Sequence, residues 1–90
     1  MDEAQRHILG SRLRRARRSH DLTSEGLAQR AGTTRVMISS LENARKPQVS
    51  FDVLLRIAKV LGVSLDYLAG RKDEDTVAFP STTTLVGAGA

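Results

Sequence analysis

No cysteine occurs in the 90 residues, so the chain can build neither a disulfide nor a thiolate metal site. That suits a reducing cytosol without demanding one. Aromatic side chains are almost as rare: Phe51, Tyr67 and Phe79 are the full set, and tryptophan is missing. A core must then be aliphatic, and a surface that stacks unpaired RNA bases on aromatic rings has little to be made from. No apolar run is long enough to span a bilayer, and the opening MDEAQRHILG is too polar for a secretory signal. The expectation is a cytoplasmic protein with no membrane partner.

Catalytic groups are thin as well. His7 and His20 are the two histidines, both outside the apolar framework, and no acidic pair stands at a fixed spacing. A helical metal site at His7 would need a second ligand three or four residues on, where Gly10 and Ser11 stand. We expect no enzyme, no metal and no cofactor.

What the chain does have is positive charge, unevenly placed. The formal net charge is +4 and the pI about 10.3. Residues 1–46 hold ten Lys/Arg against five Asp/Glu, whereas residues 47–90 hold four against five. The cations gather in one half, as a footprint for a polyanion would, although a solvated basic face has the same composition.

Ninety residues make one small domain. A first helix is predicted from Glu3 or Gln5 to about Ser19 on the spacing of Leu9, Leu13 and Ala16, with Ile8 beside it. Its other faces carry Arg12, Arg14, Arg15 and Arg18, none with a Glu four residues away. Leu22 turns inward, and Thr23 caps a helix of about 24–30 with an internal Gly26, which costs about 1 kcal/mol relative to Ala. Gly32 ends it, Thr33 and Thr34 offer the next cap, and a third helix spans about 34–43 with Ile38 and Leu41 inward. A basic connection with Pro47 follows. Ser50 then caps a fourth helix whose stripe reads Phe51, Leu54, Leu55, Ala58 and Leu61, with Ile57 alongside. Gly62 stops it, Val63 packs inward, and Ser64 caps a short helix from Leu65 to Ala69. The domain is expected to close at residue 70. Residues 71–90 read as a tail, five charges followed by TVAFPSTTTLVGAGA, either disordered or forming an arm or strand on a partner.

The unit from Thr23 to Asn43 is two short helices joined by a glycine turn. Its second helix turns Arg35, Val36, Ser39, Ser40 and Asn43 outward, a polar and positive face suited to the DNA major groove. Together with LGSRLRRARRSHDLT before it and LLRIAKVLGVSLDYL after it, LAQRAGTTRVMISSLEN resembles the repressor/Cro-type helix-turn-helix family, also called xenobiotic-response-element type. The resemblance covers about Leu9 to Gly70. It implies an all-α, five-helix, lambda-repressor-like domain and a transcription regulator, a repressor binding a palindromic operator as a homodimer.

The resemblance also implies roles. Arg35, Val36, Ser39 and Ser40 match base-reading positions. Arg35 is suited to guanine O6 and N7, and Val36 to the thymine methyl. Thr23, Ser24, Thr34, Asn43, Arg45 and Lys46 match or neighbour positions that meet the DNA backbone. Arg17 and Glu42 match a salt bridge between the first and third helices. Three departures stand out: Ser24 where a Gln is usual, Ala44 for Gly and Val49 for Pro. Dimer contacts are expected from the fifth helix and tail, with Leu65, Tyr67 and Phe79 as anchors. The rival reading is an interaction module, either the antitoxin of a toxin–antitoxin pair whose tail holds the toxin or a regulator governed by an antirepressor.

Overall fold

The computed structural model describes residues 1–71; what the sequence suggests for residues 72–90, Phe79 included, lies outside the described residues. Among the described residues the fold is all-α. Helices α1 (Glu3–Ser19), α2 (Ser24–Ala31), α3 (Arg35–Glu42), α4 (Phe51–Leu61) and α5 (Leu65–Leu68) follow in order, with no strand.

Each helix begins with the same device. Asp2, Thr23, Thr34, Ser50 and Ser64 sit in extended backbone just before a helix, and their side-chain oxygens accept from the amides of Gln5, Gly26, Met37, Val53 and Tyr67. A cap of this kind is worth about 1 kcal/mol, so short helices such as α2 and α3 have their starts set locally. Gly32 and Gly62 take left-handed backbone at φ 68° and 67° and close α2 and α4. α1 has no glycine stop. Instead Asp21 adopts φ 55°, a conformation that a short polar side chain tolerates.

The core is aliphatic apart from one aromatic. Leu9, Leu13 and Ala16 of α1 meet Leu27, Ala28 and Ala31 of α2, Ile38 and Leu41 of α3, and Ile57, Ala58 and Leu61 of α4. Val63, Tyr67 and Leu68 close it from below. α3 packs against both α1 and α2, α2 against α4, and α5 against α1 and α4. The helix pair 24–42 is therefore carried on a frame that its own residues are too few to supply. His20 Nε2 donates to the Leu61 carbonyl at 2.7 Å, tying the end of α1 to the end of α4.

Three sequence expectations change here. Phe51, placed on the inner stripe of α4, is 67% exposed. It is the first residue of that helix and lies about 70° around from the buried side centred on Ile57, Ala58 and Leu61. Tyr67, offered as a dimer anchor, is 1% exposed: its ring fills the core of its own chain and has no face left for a partner. The arginines of α1, which have no partner within the helix, find partners across the fold. Arg12 Nη1 donates to the Tyr67 carbonyl at 2.7 Å, with its guanidinium 4.6 Å from the Tyr67 ring centre. Arg15 and Arg18 stay exposed, as the sequence places them. Leu65 is half-buried against the core.

Candidate nucleic-acid interface

On α3, Ile38 and Leu41 are buried, and half-buried Met37 packs against the same core. At 100° per residue, Arg35, Val36, Ser39, Ser40 and Asn43 span an arc of about 140° on the other side. Arg35, Val36 and Asn43 are exposed, with Val36 at 66%, while Ser39 and Ser40 are half-buried at the edges. Among the described residues no hydrogen bond or ion pair holds the Arg35 guanidinium. An exposed β-branched side chain beside a cation with no partner among the described residues gives this face an apolar and a charged group side by side.

The same helix is held at both ends. Thr34 Oγ1 accepts from Met37 N at 3.1 Å, which leaves the hydroxyl proton free to donate outward. Thr23 does the same at the start of α2, accepting from Gly26 N at 2.9 Å, with half-buried Ser24 next to it. The turn between them is fixed by Thr33 N donating to Ala28 O at 2.9 Å and by Arg56 Nε donating to Ala31 O at 2.7 Å. Arg56 is itself braced by Asp52 one turn earlier on α4.

At the other end sits Glu42, its side chain 3% exposed and shared between two arginines of α1. Arg17 donates twice, Nε to Oε2 at 2.6 Å and Nη2 to Oε1 at 3.0 Å, and its Nη1 reaches the Leu22 carbonyl at 2.8 Å. The hydrogen bond to Glu42 is the main reason the Arg17 guanidinium is held above its ordinary range, burial opposing it and the carboxylate charge adding to it. Arg14 Nε donates to the same carboxylate at 3.3 Å, and its Nη2 donates to Asn43 Oδ1 at 3.4 Å. Two cations on one anion leave a net positive charge beside the end of α3. Exposed Arg45 and half-buried Lys46 add to it from the following loop. Asn43 Nδ2 donates to Ser39 O at 2.9 Å, so a phosphate contact from Asn43 would fall to its second amide hydrogen.

Two features that hold this surface escaped the sequence reading. Gly10 is one: a Cβ built there would lie 2.6 Å from both the Leu41 and the Glu42 carbonyl oxygens. α1 and α3 cross at backbone contact, and no side chain fits between them. An unexplained glycine inside a long helix was the available signal; the sequence raises the question at Gly26, where the nearest atom is the Thr23 hydroxyl at 3.2 Å. The other is the bracing of the loop after α3. Ala44 stands at φ 59°, keeping the left-handed backbone that the usual glycine would take, and its carbonyl accepts from Arg6 Nε at 3.3 Å. Val49 is half-buried against the core, so an apolar side chain anchors the loop where a proline is usual. Among the described residues no group of His, Cys, Asp or Glu is placed to hold a metal ion, and no helix is long and apolar enough to cross a membrane.

The family model described as helix-turn-helix matches residues 13–68. A Bacillus subtilis (strain 168) protein, the uncharacterized HTH-type transcriptional regulator YobD, is 36% identical over 64 residues. That match takes in 70% of this chain and 55% of the relative, so the chain spans about half the length of that protein. Among solved structures, the clp gene regulator ClgR from Corynebacterium glutamicum superposes with a TM-score of 0.67 at 30% identity, covering 74% of this chain and 70% of that one. With the five helices in order and the second and third joined by a glycine turn, the chain belongs to the repressor/Cro-type helix-turn-helix family.

Proposed function

We propose that the chain is a sequence-specific regulator of transcription that binds double-stranded DNA, acting as a repressor on a palindromic operator as a homodimer. α3 enters the major groove. The observation that carries this reading is the outward arc of α3, where uncompensated Arg35 and exposed Val36 share one face of a helix locked at both ends. Arg35 would bind guanine O6 and N7, Val36 the thymine methyl, and Ser39 and Ser40 would tune the fit. Thr23, Ser24, Thr34, Asn43, Arg45 and Lys46 frame that face and would meet the phosphates, which position without specifying. One α3 reads few base pairs, and two related by a two-fold axis about 34 Å apart read a useful site.

The experiment is selection of bound duplexes from a random pool at about 150 mM salt, with stoichiometry measured on the winner. A palindromic winner bound two to one supports the reading. No enrichment over random DNA overturns it. A reporter with the winning site placed across a promoter then separates repression from activation.

A further inference from the structure

We infer that Arg14 of α1 exchanges Glu42 for a DNA phosphate when the protein binds, adding a backbone contact from α1 to those of the helix pair and the following loop. This rests on the DNA-binding reading above and extends its contact surface.

The two arginines on Glu42 are not held alike. Arg17 takes both carboxylate oxygens, at 2.6 and 3.0 Å, places Nη1 on the Leu22 carbonyl at 2.8 Å, and has a side chain only 13% exposed. Arg14 reaches Oε1 through a single contact at 3.3 Å, its tie to Asn43 Oδ1 is 3.4 Å long, and its side chain is 42% exposed. Both Arg14 contacts are longer than the roughly 2.7–2.9 Å of a strong charge-assisted hydrogen bond, and its Nη1 holds no hydrogen bond among the described residues. If Arg14 leaves, Glu42 keeps a complete two-point partner and no buried charge is stranded. Removal of Arg17 would have the opposite consequence. Two positive charges stand here against one negative charge, so an anion that arrives at Arg14 meets a net attraction.

Direction agrees. Gly10 marks the crossing of α1 with the end of α3, and at 100° per residue Arg14 lies about 40° around α1 from it, whereas Arg15 lies about 140° around. Arg14 therefore leans over the end of α3 and meets Asn43, whose second amide hydrogen is left to donate outward. A phosphate oxygen that accepts this hydrogen comes within reach of the Arg14 guanidinium. Two weak ties already order the arginine side chain in the free protein, so it loses little freedom when it turns to the phosphate.

The test is the salt dependence of binding by the full-length protein, measured by anisotropy titration on the selected duplex and on random duplex between about 50 and 200 mM salt. Arg14→Gln keeps most of the stem and removes the charge. It should lower the slope of log affinity against log salt by about one unit on both duplexes, so that the variant loses roughly fourfold less affinity over that range. Its melting temperature should stay close to that of the unaltered protein, because Arg17 still satisfies Glu42. Arg14→Lys returns a cation without the planar fork and should return the slope. Arg15→Gln removes the same formal charge from another side of α1 and should change the slope far less. In an Asn43→Ala background, Arg14→Gln should still lower it. A slope unchanged by Arg14→Gln, or an equal drop from Arg15→Gln, overturns the phosphate contact and leaves the DNA-binding reading standing. An effect of Arg14→Gln that disappears in the Asn43→Ala background makes Arg14 a brace for Asn43 and overturns the contact as well. An unaltered protein that binds neither duplex overturns the DNA-binding reading, and the contact falls with it.

Discussion

If the exposed arc of α3 reads bases as proposed, single residues decide what it reads. Arg35→Ala should cost about 1–3 kcal/mol per half-site and relax the preference at one base position, measured by repeating the duplex selection with the variant. A loss that is uniform over all sequences would move Arg35 to the phosphate-binding group. Ala44 shows the opposite case, a residue that the backbone would rather not have. Its left-handed φ of 59° opposes a Cβ by about 1–2 kcal/mol, and glycine gives back part of that gain through the freedom of the unfolded chain. Ala44→Gly should therefore stabilise the domain by roughly 0.5–1 kcal/mol in a denaturant titration, with DNA affinity kept. The departure from the usual glycine was visible in the sequence. That the backbone kept the glycine's conformation was not, because φ is imposed here by Arg45 N closing onto Ser40 O at 2.9 Å and by Arg6 holding the Ala44 carbonyl.

At the scale of elements, the crossing of α1 and α3 sets the tilt of α3. Gly10→Ala gains about 1 kcal/mol of helix propensity but drives a methyl into two carbonyl oxygens at 2.6 Å, so the helices must part. Overpacking of this kind should win, with a net loss of roughly 1–3 kcal/mol and a clear drop in Tm, and binding should weaken beyond what the fold loss explains. Glu42 acts at the same crossing. Glu42→Ala strands Arg17, whose side chain is only 13% exposed, and should cost about 3 kcal/mol by thermal or chemical melting. The raised pKa of Arg17 also fixes a sign: its share of stability is complete below the ordinary guanidinium range and is lost only as pH climbs through the still higher folded value. A melt series across neutral and mildly alkaline pH should show no loss from this group. The helices themselves were readable to within a residue or two, since caps and glycine stops are local. The crossing was not, because the glycine and the carbonyls it meets lie more than thirty residues apart.

For the whole molecule, the distribution of charge matters more than its total. Lys46→Ala should weaken binding to every sequence alike and lower the slope of log affinity against log salt by about one unit, measured between low and physiological salt. An unchanged slope would remove Lys46 from the interface. The cluster it belongs to draws members from α1, α3 and the following loop, and Glu42 offsets only one of the two arginines it touches.

Read alone, the order of residues determined the five helices, the capped starts of the last four, an aliphatic core and a polar arc on α3, because period, caps and turn glycines act over a few neighbours. Tertiary structure alone decided the roles of side chains whose partners are distant in sequence. Tyr67 went into the core and Phe51 out of it, since both belong to helices that are apolar on more than one side and only packing chooses the buried one. Arg12 and Arg14 became ties rather than free cations, and Gly10 became the hinge point of a helix crossing. Local signals specify where a helix starts and which face is greasy; which of several greasy or charged side chains ends up inside depends on what the folded chain brings opposite it.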